Sequence, residues 1–408
     1  MFVKTLREAP ADEVSKNAQL LIRAGFIYKE MAGVYSYLPL GLSVIKKIEE
    51  IIREEMNAIG GQEMKTSVLQ DKAVWEKSGR WSDKVVDNWF KTELKNGGAI
   101  GLSFTNEEPI TNIMRSFVHS YKDLPVYAYD FKDIFRNETR AKSGIMRGRE
   151  FYWKALYSFC ADESEHNKFY EQAKQAYLNI FNRCGIGDKT YLTFASGGTF
   201  SEFSHEFQTI TDAGEDTIYI NEKQKIAINQ EVLTDENLVK IGALRADLVE
   251  KRAVEVGNIF SLANKFSDPL DLFYTAEDGR QKSVYMGCYG IGLGRLMGTV
   301  AEVLSDEKGI IWPENIAPAR VYLINIGDET AGKAEEIYNE MISRGVEVIW
   351  DDRDVRPGEK FADADLMGIP HRVVVSPKLT SEGLVEYKSR ALDTIENLTI
   401  DALFARMV

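Results

Sequence analysis

The stretch that most constrains this chain runs from Phe135 to Phe151, FRNETRAKSGIMRGREF. It sets Arg136 and Glu138 two apart. A short basic, glycine-containing turn with Arg140, Lys142 and Gly144 follows, then Arg147, Arg149 and Glu150 ahead of the aromatic run Phe151-Tyr152-Trp153. Residues i and i+2 of a strand point to one face. The spacing therefore predicts a hairpin whose outgoing strand aims Arg136 and Glu138, and whose returning strand aims Arg147 and Arg149, at one cavity. Several guanidinium groups and a carboxylate around one cavity suit a polyanion such as a nucleoside triphosphate. A solvated hairpin of paired surface charges accounts for the same residues, because such pairs are common and individually weak.

The 408 residues leave room for two or three domains. A net charge of −13 argues against a non-specific DNA binder, yet leaves room for local basic patches that take one RNA. No apolar run is long enough to span a bilayer, and the opening MFVKTLREAPADEV lacks the apolar core of a signal peptide. Cys160, Cys184 and Cys288 are far apart, with no CxxC. Neither a metal site of protein ligands nor a disulfide scaffold is expected, and a cytoplasmic location without a membrane partner fits.

In chain order, residues 13–32 predict a helix stopped by Gly33. After the aromatic turn at Pro39, a long amphipathic helix carries Val44, Ile48, Ile52, Met56 and Ile59 at helical spacing, ended by Gly60-Gly61. It is a core helix or a partner interface. Residues 62–70 read as a strand, and 75–81 as a short helix and turn. Residues 98–109 read as strand, loop and helix start. There Thr105 is placed to cap the helix with Glu108 as its capping-box partner. Alternatively, Thr105 and Glu107 hold a cationic amine. A clear amphipathic helix covers 162–183. Residues 191–207 are strand-rich and include His205, one of four histidines and, like most lone histidines, more often structural. Residues 233–250 look helical, and 254–266 form a strand and turn. Residues 286–304 read as strand, Gly-rich turn and helix. There Gly290, Gly292 and Gly294 admit close backbone approach and Arg295 opens the helix. Beyond the proline-bearing linker 312–318, strands and helices alternate, which predicts a small α/β domain with a mixed sheet.

Taken together, these segments resemble the class II aminoacyl-tRNA synthetases, most closely the prolyl-tRNA synthetase family. GVYSYLPLG with its long helix resembles motif 1 (about 33–62), FRNE…RGREF motif 2 (about 130–159) and GCYGIGLGR motif 3 (about 286–304). TLREAP, RAGF, WEKSGRW, TNEEP, SHEF, GEDTI, GIIWP and DDRDVRPGEKFADADLMGIP extend the likeness over nearly the whole chain, in the family's order. The resemblance implies an α+β catalytic domain over 1–311, with an antiparallel sheet flanked by helices. It implies a linker at 312–318 and an α/β anticodon-binding domain over 319–408.

It also implies a proline–tRNA ligase that uses ATP and Mg²⁺, with L-proline and tRNA(Pro) as partners and a homodimer formed through motif 1. Arg136 and Arg295 would be catalytic, and ATP would be held by Arg136, Glu138, Arg147, Thr199, Gly290, Gly292 and Arg295. Proline would meet Thr105, Glu107, Arg136, Trp153, Ser201 and His205. Arg140 and Lys142 would meet the tRNA acceptor end, and Arg353 and Asp354 the anticodon. The helix at 162–183 leads straight into 191–207, so the inserted editing domain of many bacterial relatives has no room. The chain departs from the family at Phe104, Asp130, Lys132, Ala155, Phe200, Ser201 and Gly294. A class II paralogue that activates an amino acid for a non-tRNA acceptor, and an inactive RNA-binding relative, are the other readings. The retained arginines oppose the inactive relative, and the full C-terminal domain opposes the paralogue.

Overall fold

The structure, a computed structural model, describes residues 4–139, 142–197, 203–392 and 394–407. The chain divides into two compact units, one of Glu30–Tyr35 and Glu49–Thr299, the other of Met1–Lys29, Ser36–Ile48 and Val300–Val408.

The first unit is built on one large sheet. Its strands are β1 (Gln62–Glu63), β2 (Val126–Phe135), β3 (Glu150–Cys160), β4 (Thr190–Ser196), β5 (Phe203–Ile210), β6 (Asp216–Asn221), β7 (Ile226–Asn229), β8 (Val249–Ala263) and β9 (Tyr285–Gly292). They lie in the order β5-β4-β7-β6-β8-β9-β3-β2-β1. All neighbours are antiparallel except the parallel pairs β1–β2 and β4–β7. The expected antiparallel sheet is therefore present. Its long strand β8 also pairs with β5, so it has partners β5, β6 and β9 along its length. The inner strands are buried on both faces: Ala155, Leu156, Tyr157 and Phe159 of β3 are all inaccessible.

The helix Pro39–Ala58 is α1, Glu107–Met114 is α2, Glu163–Arg183 is α3 and Leu293–Val303 is α4. Asp162 caps α3 by accepting from the Glu165 amide. The helix buries Phe169, Ala173, Tyr177, Ile180 and Phe181 at helical spacing. Tyr177 and Phe181 pack on Phe207 of β5 at ring distances of 5.1 and 5.3 Å. Covering one sheet face in this way leaves the other for loops and ligands.

In the second unit, β10 (Val321–Asn325), β11 (Val348–Asp351), β12 (His371–Val375), β13 (Leu384–Ser389) and β14 (Ile395–Thr399) lie in the order β11-β10-β12-β13-β14. Strand β10 is parallel to β11 and β12, and the remaining pairs are antiparallel, so the sheet is mixed as expected. Helices α5 (Ala331–Ser343), α6 (Pro357–Met367) and α7 (Ile400–Met407) complete this part of the unit. Val321, Leu323, Ile337, Met341, Val373 and Leu403 form its core.

Several local expectations are corrected. The helix placed at 13–32 spans only Lys16–Arg23. Gly25 then turns the chain at φ 75°, and the apolar run continues as the strand Ile27–Met31. Residues 233–250 contain a short α-helix, Asp235–Lys240, and a 3₁₀ turn, Arg245–Asp247, before β8 begins. Gly290 and Gly292 belong to β9 itself, which passes directly into α4 without a turn. Among the described residues, no helix is long and apolar enough to cross a membrane.

Candidate active site

Strand β2 ends at Phe135 and β3 resumes at Glu150. Arg136, Glu138, Arg147 and Arg149 therefore stand on the connecting loop and not on the paired strands. The loop still converges: the Arg136 amide donates to Arg149 O at 2.8 Å, and Arg147 Nη2 donates to Glu138 Oε2 at 3.0 Å. Arg149 is the exception. Its guanidinium turns away to the carbonyls of Glu138 and Ala32.

The loop, β8 and β9 enclose a cavity of about 320 Å³, lined among others by Arg136, Glu138, Arg147, Trp153, Glu255 and Arg295. Arg295, in the first turn of α4, donates to Met146 O at 2.9 Å and to Glu255 O and Oε2 at 3.0 and 3.1 Å. Arg147 also bridges to Glu215 at 2.9 Å, and Lys142 lies 3.5 Å from the same carboxylate. Arg136 is held differently. Its guanidinium rests between the rings of Phe104 and Phe151 at 5.1 and 5.4 Å, and its buried Nε has no hydrogen-bond partner. Loss of solvent, followed by the charge of Arg295, draws its pKa below the ordinary arginine value. A partly desolvated cation with a buried donor still unbonded is prepared for an incoming anion.

Gly290 matters through its missing side chain. A Cβ there would stand 2.9 Å from two ring atoms of Trp153 and 2.9 Å from Asn258 Oδ1. The glycine thus lets the half-buried Trp153 ring pack against β9 at the cavity wall.

Thr105 and Glu107 are both buried and are not among the residues lining this cavity. The helix cap is Asn106, without a side-chain capping bond, so Thr105 is not the cap that spacing suggests. Thr105 Oγ1 instead accepts from Arg80 at 3.3 Å. Glu107 Oε1 accepts from Tyr157 OH at 3.0 Å and Cys288 Sγ at 3.5 Å, and Oε2 from Arg80 at 3.2 Å. Glu108 is no capping-box residue. It accepts from Arg80 at 3.1 Å and from Ser78 Oγ at 2.7 Å. Burial opposes ionisation of both carboxyls. Arg80 nonetheless holds Glu107 below its usual range, while burial pushes Glu108 up to about 7 against the pull of Arg80. One guanidinium serving two buried carboxyls thus leaves Glu107 as the anion.

His205 donates to or accepts from Tyr170 OH at 3.0 Å through Nδ1, and burial pushes its pKa down to about 4, which leaves a neutral imidazole. It is not among the residues lining the cavity. Arg140, Thr199, Phe200 and Ser201 lie outside the described residues. In the second unit, Arg353 is clamped by Asp351 and Asp363, each at 2.7 Å, whereas Asp354 is exposed.

Sequence reasoning gave no role to Arg80, Tyr157, Glu215 or Glu255. A signal for Arg80 did exist: two adjacent glutamates opening a helix that must be buried demand a cation from elsewhere.

Residues 90–304 match the family "tRNA synthetase class II core domain (G, H, P, S and T)", and residues 320–408 match "Anticodon binding domain". The proline–tRNA ligase of Phenylobacterium zucineum (strain HLK1) is 36% identical, over 98% of this chain and 97% of its own. That of Caulobacter sp. (strain K31) is 38% identical, over 95% and 93%. Prolyl-tRNA synthetase from Cryptosporidium parvum, complexed with L-proline and AMP, shares the fold with a TM-score of 0.77 at 17% identity, over 96% of this chain and 73% of that one. The Giardia lamblia prolyl-tRNA synthetase, in complex with prolyl-adenylate, gives 0.77 at 20% identity, over 94% and 74%. The sheet, its loop and the two matched domains are those of class II aminoacyl-tRNA synthetases of the G, H, P, S and T group. Within that class, as the two bacterial relatives establish, the chain belongs to the prolyl-tRNA synthetase family.

Proposed function

We propose that this chain is a proline–tRNA ligase that converts L-proline and ATP to prolyl-adenylate and diphosphate, then transfers the prolyl group to tRNA(Pro) with release of AMP. The observation that carries this reading is Arg136, which lines the arginine-rich cavity and rests over the ring of Phe104, the residue before the buried Thr105–Glu107 pair. The cavity suits a triphosphate and the pair a cationic imino group.

In this reading Arg136 binds the proline carboxylate and the α-phosphate. The carboxylate oxygen then attacks phosphorus in line as the bond to diphosphate breaks. The protein supplies position and charge, with no covalent nucleophile. Glu138 and Arg147 hold the adenine and triphosphate end with Gly290 and Gly292, Arg295 takes the γ-phosphate, and Thr199 assists. Glu107 and Thr105 bind the imino group, and Trp153, His205 and Ser201 wall the proline pocket. Among the described residues there is no group of three or more side chains suited to a metal. Mg²⁺ is held chiefly by phosphates plus one or two carboxylates. Glu255, which lines the cavity, is the carboxylate that would hold it. When bound, the ion neutralises phosphate charge.

The same proposal assigns 1–311 to catalysis, 312–318 to a linker and 319–408 to the anticodon. It assigns Arg140 and Lys142 to the tRNA acceptor end, Arg353 and Asp354 to the anticodon, and α1 to a homodimer interface in the cytoplasm. Editing in cis is absent, so alanine, only slightly smaller than proline, is mischarged. ATP–diphosphate exchange across the amino acids, followed by charging of tRNA(Pro), tests the reading. Exchange with proline is expected, and its absence would overturn it. Exchange without charging would favour a non-tRNA acceptor. Unaided deacylation of alanyl-tRNA(Pro) would overturn the absence of editing.

A further inference from the structure

Behind the Thr105–Glu107 loop lies a second set of buried polar groups that the proposed reaction does not use. Asp130 and Lys132 stand two apart on β2 and point the same way. Both are completely buried. Lys132 Nζ donates all three of its protons: to Thr66 Oγ1 at 2.8 Å, to Ser67 O at 3.0 Å and to Asn106 Oδ1 at 3.2 Å. Asp130 Oδ2 accepts from the Thr66 amide at 2.9 Å and from the Thr66 hydroxyl. Thr66 Oγ1 also lies 3.2 Å from Asn106 Oδ1. The second Asp130 oxygen is buried without a hydrogen bond, with Lys65 3.8 Å away.

Asn106 is the residue between Thr105 and Glu107, and it is wholly buried. Its Nδ2 has no acceptor, so its side chain is fixed through its oxygen, and the charged bond there comes from Lys132. Gln70 also ties the loop to this wall: its Nε2 donates to Thr105 O at 2.8 Å and its Oε1 accepts from the Phe104 amide at 3.5 Å. None of Glu138, Arg147 and Arg295 takes part in the network.

We propose that Asp130 and Lys132 are positioning residues of the amino-acid pocket, a buried charge pair that acts through Thr66 and Asn106 to set Thr105 and Glu107 against the substrate's imino group. This rests on the reading of Thr105 and Glu107 as the imino-binding pair. Two buried opposite charges joined through one hydroxyl are a costly way to hold a loop unless their geometry is used. Here the ammonium has no donor left over, and its bonds reach the one residue shared by both ligands. Charge-assisted bonds also resist displacement better than neutral ones, which suits a loop that must not yield when a cation enters.

Lys132→Met should raise KM for proline about tenfold or more while KM for ATP stays within about twofold and kcat changes little, since an orphaned buried acceptor weakens only the end it supports. Backbone amide exchange at residues 104–108 of the free protein should accelerate, with residues 150–160 unchanged. The double variant Asp130→Gln with Lys132→Gln restores an acceptor and a donor without net charge, and both effects should largely reverse. If Lys132→Met does not fold, Lys132→Gln alone, which leaves Asp130 uncompensated, is read against the double variant. Equal changes in the KM values for proline and ATP, unaltered exchange at 104–108, or no recovery in the double variant would overturn the proposal. Absence of proline-dependent exchange in the unaltered enzyme would instead defeat the proline reading, and amide exchange would still decide the role of the pair.

Discussion

Arg136 and Arg353 were both singled out as ligand-binding arginines, and the structure treats them in opposite ways. Arg353 is surrounded by acceptors, bonded to Asp351 and Asp363, while Tyr322 OH donates to the same Asp351 at 2.9 Å. Arg136 has two aromatic faces against it and a buried Nε with nothing to bond. The first arrangement braces a sheet edge to α6. The second keeps a partly desolvated cation available. Two arginines in suggestive motifs thus differ in whether a buried donor is still unbonded.

The largest effect that would break this contrast is on Arg136. Arg136→Ala should lower proline-dependent ATP–diphosphate exchange by about 10²- to 10³-fold, the usual consequence of removing one preorganised electrostatic group. Thermal melting should change little. Next, Glu107→Gln removes the anion that Arg80 and Tyr157 hold in place, and KM for proline should rise by about 10- to 100-fold, as for a lost charged hydrogen bond. Arg353→Gln should leave exchange intact but lower stability. The expected loss is about 1–2 kcal/mol, less than for a fully buried pair because Arg353 is partly solvated. It is measured by urea titration beside the exchange assay. An exchange defect there, or none in Arg136→Ala, would reverse the comparison.

The smallest expected effect is a pH slope. Glu108 titrates at its ordinary 4.5 when unfolded and is raised to about 7 in the fold by burial. Between those values the folded state holds a proton that the unfolded state lacks. Its stability contribution is therefore fully present below pH 4.5 and is lost as pH rises through 7. Glu108→Gln should flatten the fall in unfolding free energy over that window. An unchanged slope would show that the proton resides elsewhere.

Much of this was legible in the sequence. The alternating C-terminal elements and the helix from Glu163 to Arg183 follow from periodicity, because each buries one continuous apolar face. What misled was continuity of apolar residues across a change of element: Leu20 to Ile27 are all buried save Arg23, yet Gly25 divides helix from strand. The site residues that bear charge towards a ligand were legible as types at a spacing. Their supports were not. Arg80 reaches Glu107 and Glu108 only through the tertiary fold. Lys132 and Asp130 were visible as departures from the family, but their partners Thr66 and Asn106 are distant in sequence.

The order of strands in the large sheet has a consequence for synthesis. Strand β3 closes at Cys160, and the strand that covers its far side, β9, begins with its partner Tyr285. A ribosome needs roughly ten seconds to make the intervening chain. Throughout that interval the edge carrying Leu156, Tyr157 and Phe159 has a neighbour on one side only, and such an edge invites pairing with other chains. The nascent polypeptide, more than the finished enzyme, is the form of this molecule that most needs a chaperone.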